Sequence, residues 1–354
     1  MPQQTSMLPP DGEVGGFILG PDGLEEGYAV LEGGLISEIR QGAVSDPAMR
    51  AVLIPDLVNC HTHCADYGLE VPPGIGLADL VAPPDGLKHR YLREAPAEEI
   101  KSSMERFGRD SRASGSLTFM DFREGGAEGC RLLRSACPRA VVLGRPVSPE
   151  FDPEEIADIL SVADGIGLPS ISDMDRAYIE SVADAAREAR RPFAIHVSER
   201  FREDIDFVLS LDPSMIVHMC AATPSDLSKC AEAEVPIAIC PRSNSFFGLR
   251  APIRDMVDCG CEILLGTDNG MLCRPDMLAE ASALMRLAES QNVDASTTWD
   301  VLGSCGKKIL NRHTLNEVDS CGKCYAVLPC GMDADAALRG YAGGGLMLAS
   351  SDKE

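Results

Sequence analysis

Two histidines separated by one residue, His61 and His63, are the first residues of this chain whose type and spacing suggest chemistry. They directly follow an apolar, strand-like run over residues 51–60. Residues two apart on a strand point to the same side, so both imidazoles would face one way. Two converging neutral imidazoles are half of a site for a divalent metal ion such as Zn²⁺ or Fe²⁺. Taken alone, the pair is also compatible with chance.

The strands that would position such a site are predicted by eight short apolar runs. After the first gap most runs are spaced by about 20 to 30 residues, which corresponds to one strand and a returning helix. The runs are 56–60, 117–121, 141–147, 165–171, 192–196, 215–220, 236–240 and 263–267. The segments between them look helical, and apolar strands alternating with helices predict a parallel sheet closed into a (β/α)₈ TIM-type barrel of the α/β class. A doubly wound open sheet is the alternative, but no Gly-x-Gly-x-x-Gly motif follows an early strand.

The two ends of the chain do not follow this alternation. Residues 14–50 read as short strands joined by glycine turns, and residues 326–338 resemble them. We therefore predict a small β-sandwich from residues 1–54 plus 322–354 beside a barrel formed by residues 55–321. A long insertion, residues 64–95, is rich in proline and glycine and leaves the barrel rim where active sites are built. It is either a lid over the site or a surface loop without a role there.

Further histidines fall at the ends of other predicted strands. His196 ends the fifth run, His218 lies in the sixth, and Asp268 follows the eighth. The carboxyl ends of barrel strands open onto one rim, so these side chains can converge with His61 and His63. A buried core histidine explains any one of them, but it explains the set poorly. The sequence therefore predicts a metal site.

Composition excludes several other classes of function. The chain has 32 Lys+Arg against 55 Asp+Glu, a formal net charge of −23, which disfavours nucleic-acid and membrane partners. No run of about 18 apolar residues is present, so a membrane-spanning helix is not expected. Its 14 cysteines are scattered and do not form a small secreted framework. We expect a reducing, cytoplasmic compartment.

The order of these motifs resembles that of the amidohydrolase superfamily, and in particular its cytosine deaminase, S-adenosylhomocysteine deaminase and chlorohydrolase branch. The resemblance covers nearly the whole chain and rests on five motifs: His61-Thr-His63, Ala194-Ile-His196-Val-Ser-Glu199, Ile216-Val-His218, Cys240-Pro-Arg-Ser-Asn244 and Gly266-Thr-Asp268. It implies a metal-dependent barrel that hydrolyses C–N bonds, less often C–Cl bonds, of heterocycles. A homodimer is a common arrangement in this family.

The resemblance also implies a role for each site residue. His61, His63 and His196 would be nitrogen ligands and Asp268 the fourth protein ligand of one divalent ion, zinc before iron or manganese. Such an ion brings the pKa of a bound water to about 7, which makes hydroxide available for attack. Asp268 would accept the proton of that water. Glu199 would carry protons to the ring and to the leaving amine, and His218 would hydrogen-bond the water or the oxyanion.

One absence favours a site with a single metal. The binuclear branch of the family bridges two ions with a carboxylated lysine on the fourth strand. This chain has no lysine between Lys101 and Lys229, so that bridge cannot form.

The predictions about substrate are less sharply defined. Arg123, Arg145, Arg242 and Asn244 follow predicted strands and are candidate substrate contacts, with structural ion pairs as the alternative. The Glu-Trp segment of the nucleoside deaminases is missing from residues 87–94, which favours a free base or another small heterocycle. We therefore predict a deaminase that uses water to act on a heterocyclic base. A hydrolytic dehalogenase, another amidine hydrolase, and a catalytically silent barrel that binds small molecules are the alternatives.

Overall fold

The computed structural model describes residues 8–81, 85–313, 324–343 and 346–351. Parts of the predicted sandwich (1–7, 322–323, 344–345 and 352–354) and of the insertion (82–84) lie outside these ranges. The fold is mixed α/β, with one six-stranded and one nine-stranded sheet. None of the helices within the described ranges is long and apolar enough to cross a membrane.

The strands are numbered along the chain. They are β1 (Gly12–Gly20), β2 (Gly23–Glu32), β3 (Leu35–Gln41), β4 (Met49–Pro55), β5 (Val58–His63), β6 (Thr118–Arg123), β7 (Val141–Gly144), β8 (Gly165–Leu168), β9 (Phe193–Val197), β10 (Met215–His218), β11 (Ile237–Ile239), β12 (Ile263–Leu265), β13 (Asp268–Asn269), β14 (Tyr325–Pro329) and β15 (Met347–Ala349).

The helices are numbered in the same way. They are α1 (Leu77–Val81), α2 (Leu87–Glu94), α3 (Ala97–Ala113), α4 (Gly126–Ala136), α5 (Pro153–Val162), α6 (Arg176–Glu188), α7 (Ile205–Ser210), α8 (Pro224–Glu232), α9 (Pro241–Phe246), α10 (Ile253–Asp258), α11 (Met277–Ser290), α12 (Ser296–Ser304), α13 (Lys307–Arg312) and α14 (Ala334–Arg339). A 3₁₀ helix, Cys64–Gly68, directly follows β5.

The nine-stranded sheet is parallel and curls until its ends approach each other. Its order is β12-β11-β10-β9-β8-β7-β6-β5-β13. Strands β12 and β13 stand at opposite ends of this order but only two residues apart in sequence, so together they act as one interrupted eighth strand. Helices follow most of the strands, as the predicted barrel requires.

The interruption of the eighth strand has a local cause at Gly266. A Cβ atom at this position would lie 2.7 Å from the Cβ and 2.8 Å from the backbone nitrogen of His61. Only glycine permits such a close approach. The contact brings the segment that carries Asp268 against the strand that carries His61 and His63, and Asp268 then pairs with Thr62 in β13–β5 register.

The six-stranded sheet is built from both ends of the chain, in the order β15-β14-β4-β1-β2-β3. The backbone N–H of Ile36 donates to Ser350 O at 2.8 Å, which joins the two outer strands of the sheet. The two ends of this six-stranded sheet therefore approach each other. Alternation along β4 buries Ala51 and Leu53 in the small core of this sheet and Val52 in the core of the barrel.

One local prediction from sequence was wrong. Residues 326–338 were expected to be strand-like, but β14 ends at Pro329 and α14 begins at Ala334, where the Asp333 side chain accepts a hydrogen bond from Ala336 N. Helix α7 likewise begins at Ile205, directly after Asp204, whose side chain accepts a hydrogen bond from Phe207 N. In both cases an aspartate cap sets the helix start, because its side chain satisfies a free backbone N–H.

Candidate metal centre and active site

Three histidines and one aspartate converge at the carboxyl ends of the barrel strands. The ring centroids of His61 and His63 are 5.0 Å apart, and those of His61 and His196 are 4.8 Å apart. Asp268 Oδ1 lies 3.3 Å from His61 Nε2 and 3.6 Å from His63 Nε2. Ligand atoms of His61, His63 and Asp268 all lie within 4.8 Å of one another, as do those of His61, His196 and His218.

The surroundings of His61 fit a divalent metal ion. The residue is 0% exposed, and neither ring nitrogen has a hydrogen-bond partner among the described residues. Burial lowers the pKa of His61 to about 3, although Asp268 opposes the shift, so its lone pair is free near neutral pH. Buried polar nitrogens without partners are costly, and imidazole and carboxylate groups are zinc ligands. A bound ion would satisfy these atoms.

The second nitrogen of the other two candidate ligands is held by an acceptor. His196 Nδ1 lies 2.8 Å from Leu168 O, and His63 Nδ1 lies 3.2 Å from Phe122 O and 3.1 Å from Glu124 Oε1. A carbonyl oxygen can only accept, so Nδ1 carries the hydrogen in each ring. The lone pair is then on Nε2, which leaves that nitrogen able to bind a metal ion.

His218 has the opposite arrangement. The side-chain amide of Asn244 donates to His218 Nδ1 at 3.1 Å, which leaves the hydrogen of the neutral ring on Nε2. That Nε2 lies 3.9 Å from Glu199 Oε1. His218 can therefore present an N–H group to a ligand in the cavity.

Glu199 lies on the loop between β9 and α7 and lines the cavity beside His196 and His218. Burial raises the pKa of Glu199, although His218 acts in the opposite direction. A carboxyl group whose pKa is raised toward neutrality can both accept and release a proton.

Three residues at the strand ends have a left-handed backbone. The φ angles of Ser198, His218 and Asp268 are 50°, 80° and 59°. Such conformations cost about 1–3 kcal/mol each and are concentrated at functional sites. They turn the chain at the exit of three strands that meet at the same rim.

Two relatives are similar to this chain over most of its length. A protein of Archaeoglobus fulgidus named "Putative aminohydrolase" is 36% identical over 230 residues, which cover 65% of this chain and 67% of the relative. A protein of Methanothermobacter thermautotrophicus with the same name is 32% identical over 288 residues, 73% of this chain and 74% of the relative. No family model matches the chain.

This chain belongs to the amidohydrolase superfamily. Solved structures agree with the fold. An adenosine deaminase from Xanthomonas campestris with bound zinc aligns at a TM-score of 0.67 and 16% identity, over 94% of this chain and 89% of that one. Atrazine chlorohydrolase TrzN from Arthrobacter aurescens TC1, complexed with zinc, aligns at 0.68 and 14% identity, over 93% and 91%.

The amidohydrolase places only one of the four predicted substrate contacts on the cavity wall. Arg145 lines the cavity, and burial lowers its pKa although Glu124 and Asp173 oppose the shift. A guanidinium that has lost water in this way favours an anionic or carbonyl group as partner.

The side chains of the other three residues contact other side chains of the protein. Arg123 pairs with Glu124 at 2.7 Å, and Arg242 pairs with Glu280. Asn244 is buried against His218. None of the three lines the cavity. For the two arginines, the structural ion pair that the sequence left open describes their observed contacts.

Several residues near the ligands were not singled out from sequence. Ser243 Oγ donates to Asp268 Oδ2, on the side of the carboxylate away from His61. Lys88 from the insertion lines the cavity and lies 2.8 Å from Glu124 Oε1. Ser243 belongs to the Cys240–Asn244 motif and could have been found there. No pattern in the sequence marks Lys88.

Proposed function

We propose that this amidohydrolase is a mononuclear aminohydrolase that releases ammonia from a heterocyclic base or a related small heterocycle. The observation that carries the proposal is the packing of His63, His196 and Asp268 around His61, whose two ring nitrogens have no hydrogen-bond partner among the described residues. Glu199 and His218 line the same cavity. The names of the two archaeal relatives support an aminohydrolase, and the zinc in the two aligned structures supports zinc before iron or manganese.

The proposed chemistry assigns separate tasks to these residues. The three imidazoles and Asp268 would hold the ion, which when bound would lower the pKa of water and supply the nucleophile near neutral pH. Glu199 takes a proton from the attacking water and delivers it to the ring nitrogen, which makes the adjacent carbon electrophilic. His218 donates its Nε2–H to the oxyanion that develops. Glu199 then receives the second proton of the original water through Asp268 and delivers it to the departing amine, which leaves as ammonia while the carbonyl forms.

Asp268 has a second proposed task beside ligation. Although burial opposes the shift, the adjacent His61 holds the pKa of Asp268 well below its usual range. Ser243 donates to Oδ2, so Oδ1 is the oxygen that faces the histidines. An ionised carboxylate in this position can accept a proton from water transiently and pass it to Glu199.

For the substrate, we propose a planar heterocycle whose polar substituent meets Arg145. The cavity wall also carries Phe247 and Phe201, whose rings offer apolar contact to a base. In the region where nucleoside deaminases carry Glu-Trp, helix α2 presents Lys88 and His89 to the cavity instead. This supports a free base over a nucleoside.

We further propose that residues 55–321 carry the chemistry and that residues 1–54 plus 322–354 form a supporting β-sandwich. The partners would be the heterocycle and water, with a homodimer as the assembly. A reducing, cytoplasmic compartment is supported by the 13 free cysteines among the described residues.

The proposal is tested by combining metal analysis with product detection. Protein purified after metal-replete expression should contain about one zinc ion per chain, as one set of three histidines and one carboxylate provides. It should release ammonia from at least one member of a panel of purines, pyrimidines, pterins and triazines. Protein that binds no metal would instead favour the silent binding barrel.

One alternative enzyme function has a specific observation in its favour. The aligned structure of atrazine chlorohydrolase shares the fold, and the same ligand set could displace chloride from a triazine. Halide release from a chlorotriazine without any ammonia from the panel would select this function over deamination.

A further inference from the structure

Lys88 carries a buried ammonium group from the insertion (residues 64–95) into the site. The residue lies on α2 and is only 3% exposed. Its Nζ atom is 2.8 Å from Glu124 Oε1 and 3.1 Å from Asn269 Oδ1. A second acidic group, Asp66 Oδ2, is 3.8 Å away. Burying an ammonium is costly unless partners surround it, so these contacts fix the position of Lys88.

Each of the two close partners of Lys88 adjoins a member of the candidate ligand set. Glu124 Oε1 is also 3.1 Å from Nδ1 of His63, the ring nitrogen on the far side from the ligand centre. Asn269 directly follows Asp268 and pairs with His63 in the register of β13 with β5. One ammonium group therefore connects the support of His63 with the short strand that carries Asp268.

Arg123 does not duplicate this connection. Its Nη2 binds the other carboxylate oxygen, Glu124 Oε2, at 2.7 Å. Arg123 thus holds Glu124 from the side of the barrel wall. Without Lys88, Oε1 would face only the imidazole of His63, and Asn269 Oδ1 would lose its hydrogen-bond donor.

We propose that Lys88 is a positioning residue of the metal centre, which acts through Glu124 on His63 and through Asn269 on Asp268. The inference rests on the metal site of the proposed function. It makes the insertion a structural part of that site. Groups that orient a metal ligand typically change metal affinity by about 10- to 100-fold when they are removed.

The test measures zinc affinity by competition with a chelator. The variants are Lys88→Met, Glu124→Gln and the double variant, each first shown by circular dichroism to be folded. Lys88→Met and Glu124→Gln should each weaken zinc binding by about 10-fold or more. Because Lys88 acts partly through Glu124, the double variant should lose much less than the product of the two single losses.

A matched control removes a lysine ion pair elsewhere. Lys229 Nζ lies 2.7 Å from Asp206 Oδ1 on the exposed surface, and Lys229→Met should leave zinc affinity unchanged. Lys88→Arg keeps a cation and a donor and should retain more affinity than Lys88→Met. The visible spectrum of the Co²⁺-loaded protein should change in Lys88→Met, because it reports ligand geometry.

Wild-type zinc affinity and an unchanged cobalt spectrum in Lys88→Met would overturn the inference, and so would single losses that multiply fully in the double variant. If Lys88→Met does not fold, Lys88→Gln, which keeps one amide donor, takes its place with the same criteria. Failure of the proposed function looks different, because the wild-type protein itself would then bind no zinc.

Discussion

At the scale of single residues, the neighbours of three imidazoles divide them into two chemical kinds. Acceptors next to Nδ1 of His63 and His196 leave a lone pair on Nε2, whereas the amide next to Nδ1 of His218 leaves a hydrogen there. Identical side chains can thus hold a cation or donate to an anion. The partner atoms decide between these roles, and they come from other strands and from α9.

A first prediction concerns Asn244. Asn244→Leu removes the amide that fixes His218, so the ring can place its hydrogen on either nitrogen. We expect turnover to fall by about 10-fold or more while zinc content stays at the wild-type level. Steady-state ammonia release and elemental analysis measure the two quantities. Loss of metal in this variant would show that His218 is a ligand rather than a donor.

A second prediction concerns Glu199. Glu199→Gln keeps the shape of the side chain but cannot carry a proton, so kcat should fall by about 100- to 10,000-fold. Zinc content should not change, because Glu199 belongs to neither ligand group. Glu180→Gln on the exposed face of α6 is the control and should retain full activity. Turnover within a few fold of wild type would remove Glu199 from the proton path.

The histidines and Asp268 could be predicted from the sequence, because each lies at the end of an apolar run and such runs mark where barrel strands end. For Arg123 the sequence left a substrate contact and a structural ion pair both open, because nothing in it fixed which face of the strand is inward. Phe122 packs against His61 inside the barrel, so its neighbour Arg123 points outward toward the helices. Lys88 could not be found, since its partners are 36 and 181 residues away.

At the scale of elements, the short helix α9 directs the side chains of the Cys240–Asn244 motif toward different neighbours. Ser243 and Asn244 lie on the face toward the barrel, where they reach Asp268 and His218. Successive residues of a helix are rotated by about 100°, so Arg242 lies on another face of α9. There it pairs with Glu280 of α11. From sequence, Arg242 and Asn244 were placed only after a predicted strand, which cannot separate these directions. A helix assignment at Pro241 would have done so.

A third prediction belongs to the junction between β4 and β5. Asp56 accepts a hydrogen bond from Leu117 N at 2.8 Å, and burial raises its pKa from 3.8 to about 6 in spite of that bond. The folded protein therefore holds this proton more tightly than the unfolded chain does. The stability contributed by Asp56 is complete below pH 4 and is lost as the pH rises through 6.

Asp56→Asn keeps the acceptor and removes the titration. We expect the metal-free variant to exceed the metal-free wild type in unfolding free energy at pH 7.5, by up to about 3 kcal/mol. At pH 4 the advantage should disappear. Urea unfolding at the two pH values measures it. The same difference at both would show that the carboxyl does not titrate between them.

At the scale of the whole molecule, the net charge of −23 is the dominant long-range term. Like charges repel more in the compact state than in the extended chain, and salt screens them beyond about 10 Å at 0.1 M. Exposed ion pairs such as Arg254–Asp258 lose strength in salt, but each contributes only about 0–1 kcal/mol. We therefore expect the repulsion between excess negative charges to outweigh the ion pairs, so that added salt stabilises the folded protein.

A fourth prediction follows for stability in salt. Raising NaCl from low concentration to 0.5 M should raise the thermal midpoint by a few degrees, which corresponds to about 1–2 kcal/mol. KCl should have the same effect, because screening does not depend on the identity of the cation. Calorimetry on zinc-loaded protein measures the midpoint. A midpoint that falls with added salt would show that ion pairs outweigh repulsion.

The left-handed turns at Ser198, His218 and Asp268 have a consequence for protein engineering. Glycine adopts this backbone shape without strain, so the strain at these positions is the cost of keeping a side chain there. At His218 and Asp268 that side chain is the imidazole and the carboxylate of the proposed site. Libraries screened for thermostability should therefore leave His218 and Asp268 unchanged, because a substitution that relieves the backbone strain there also removes a group proposed to be needed for turnover.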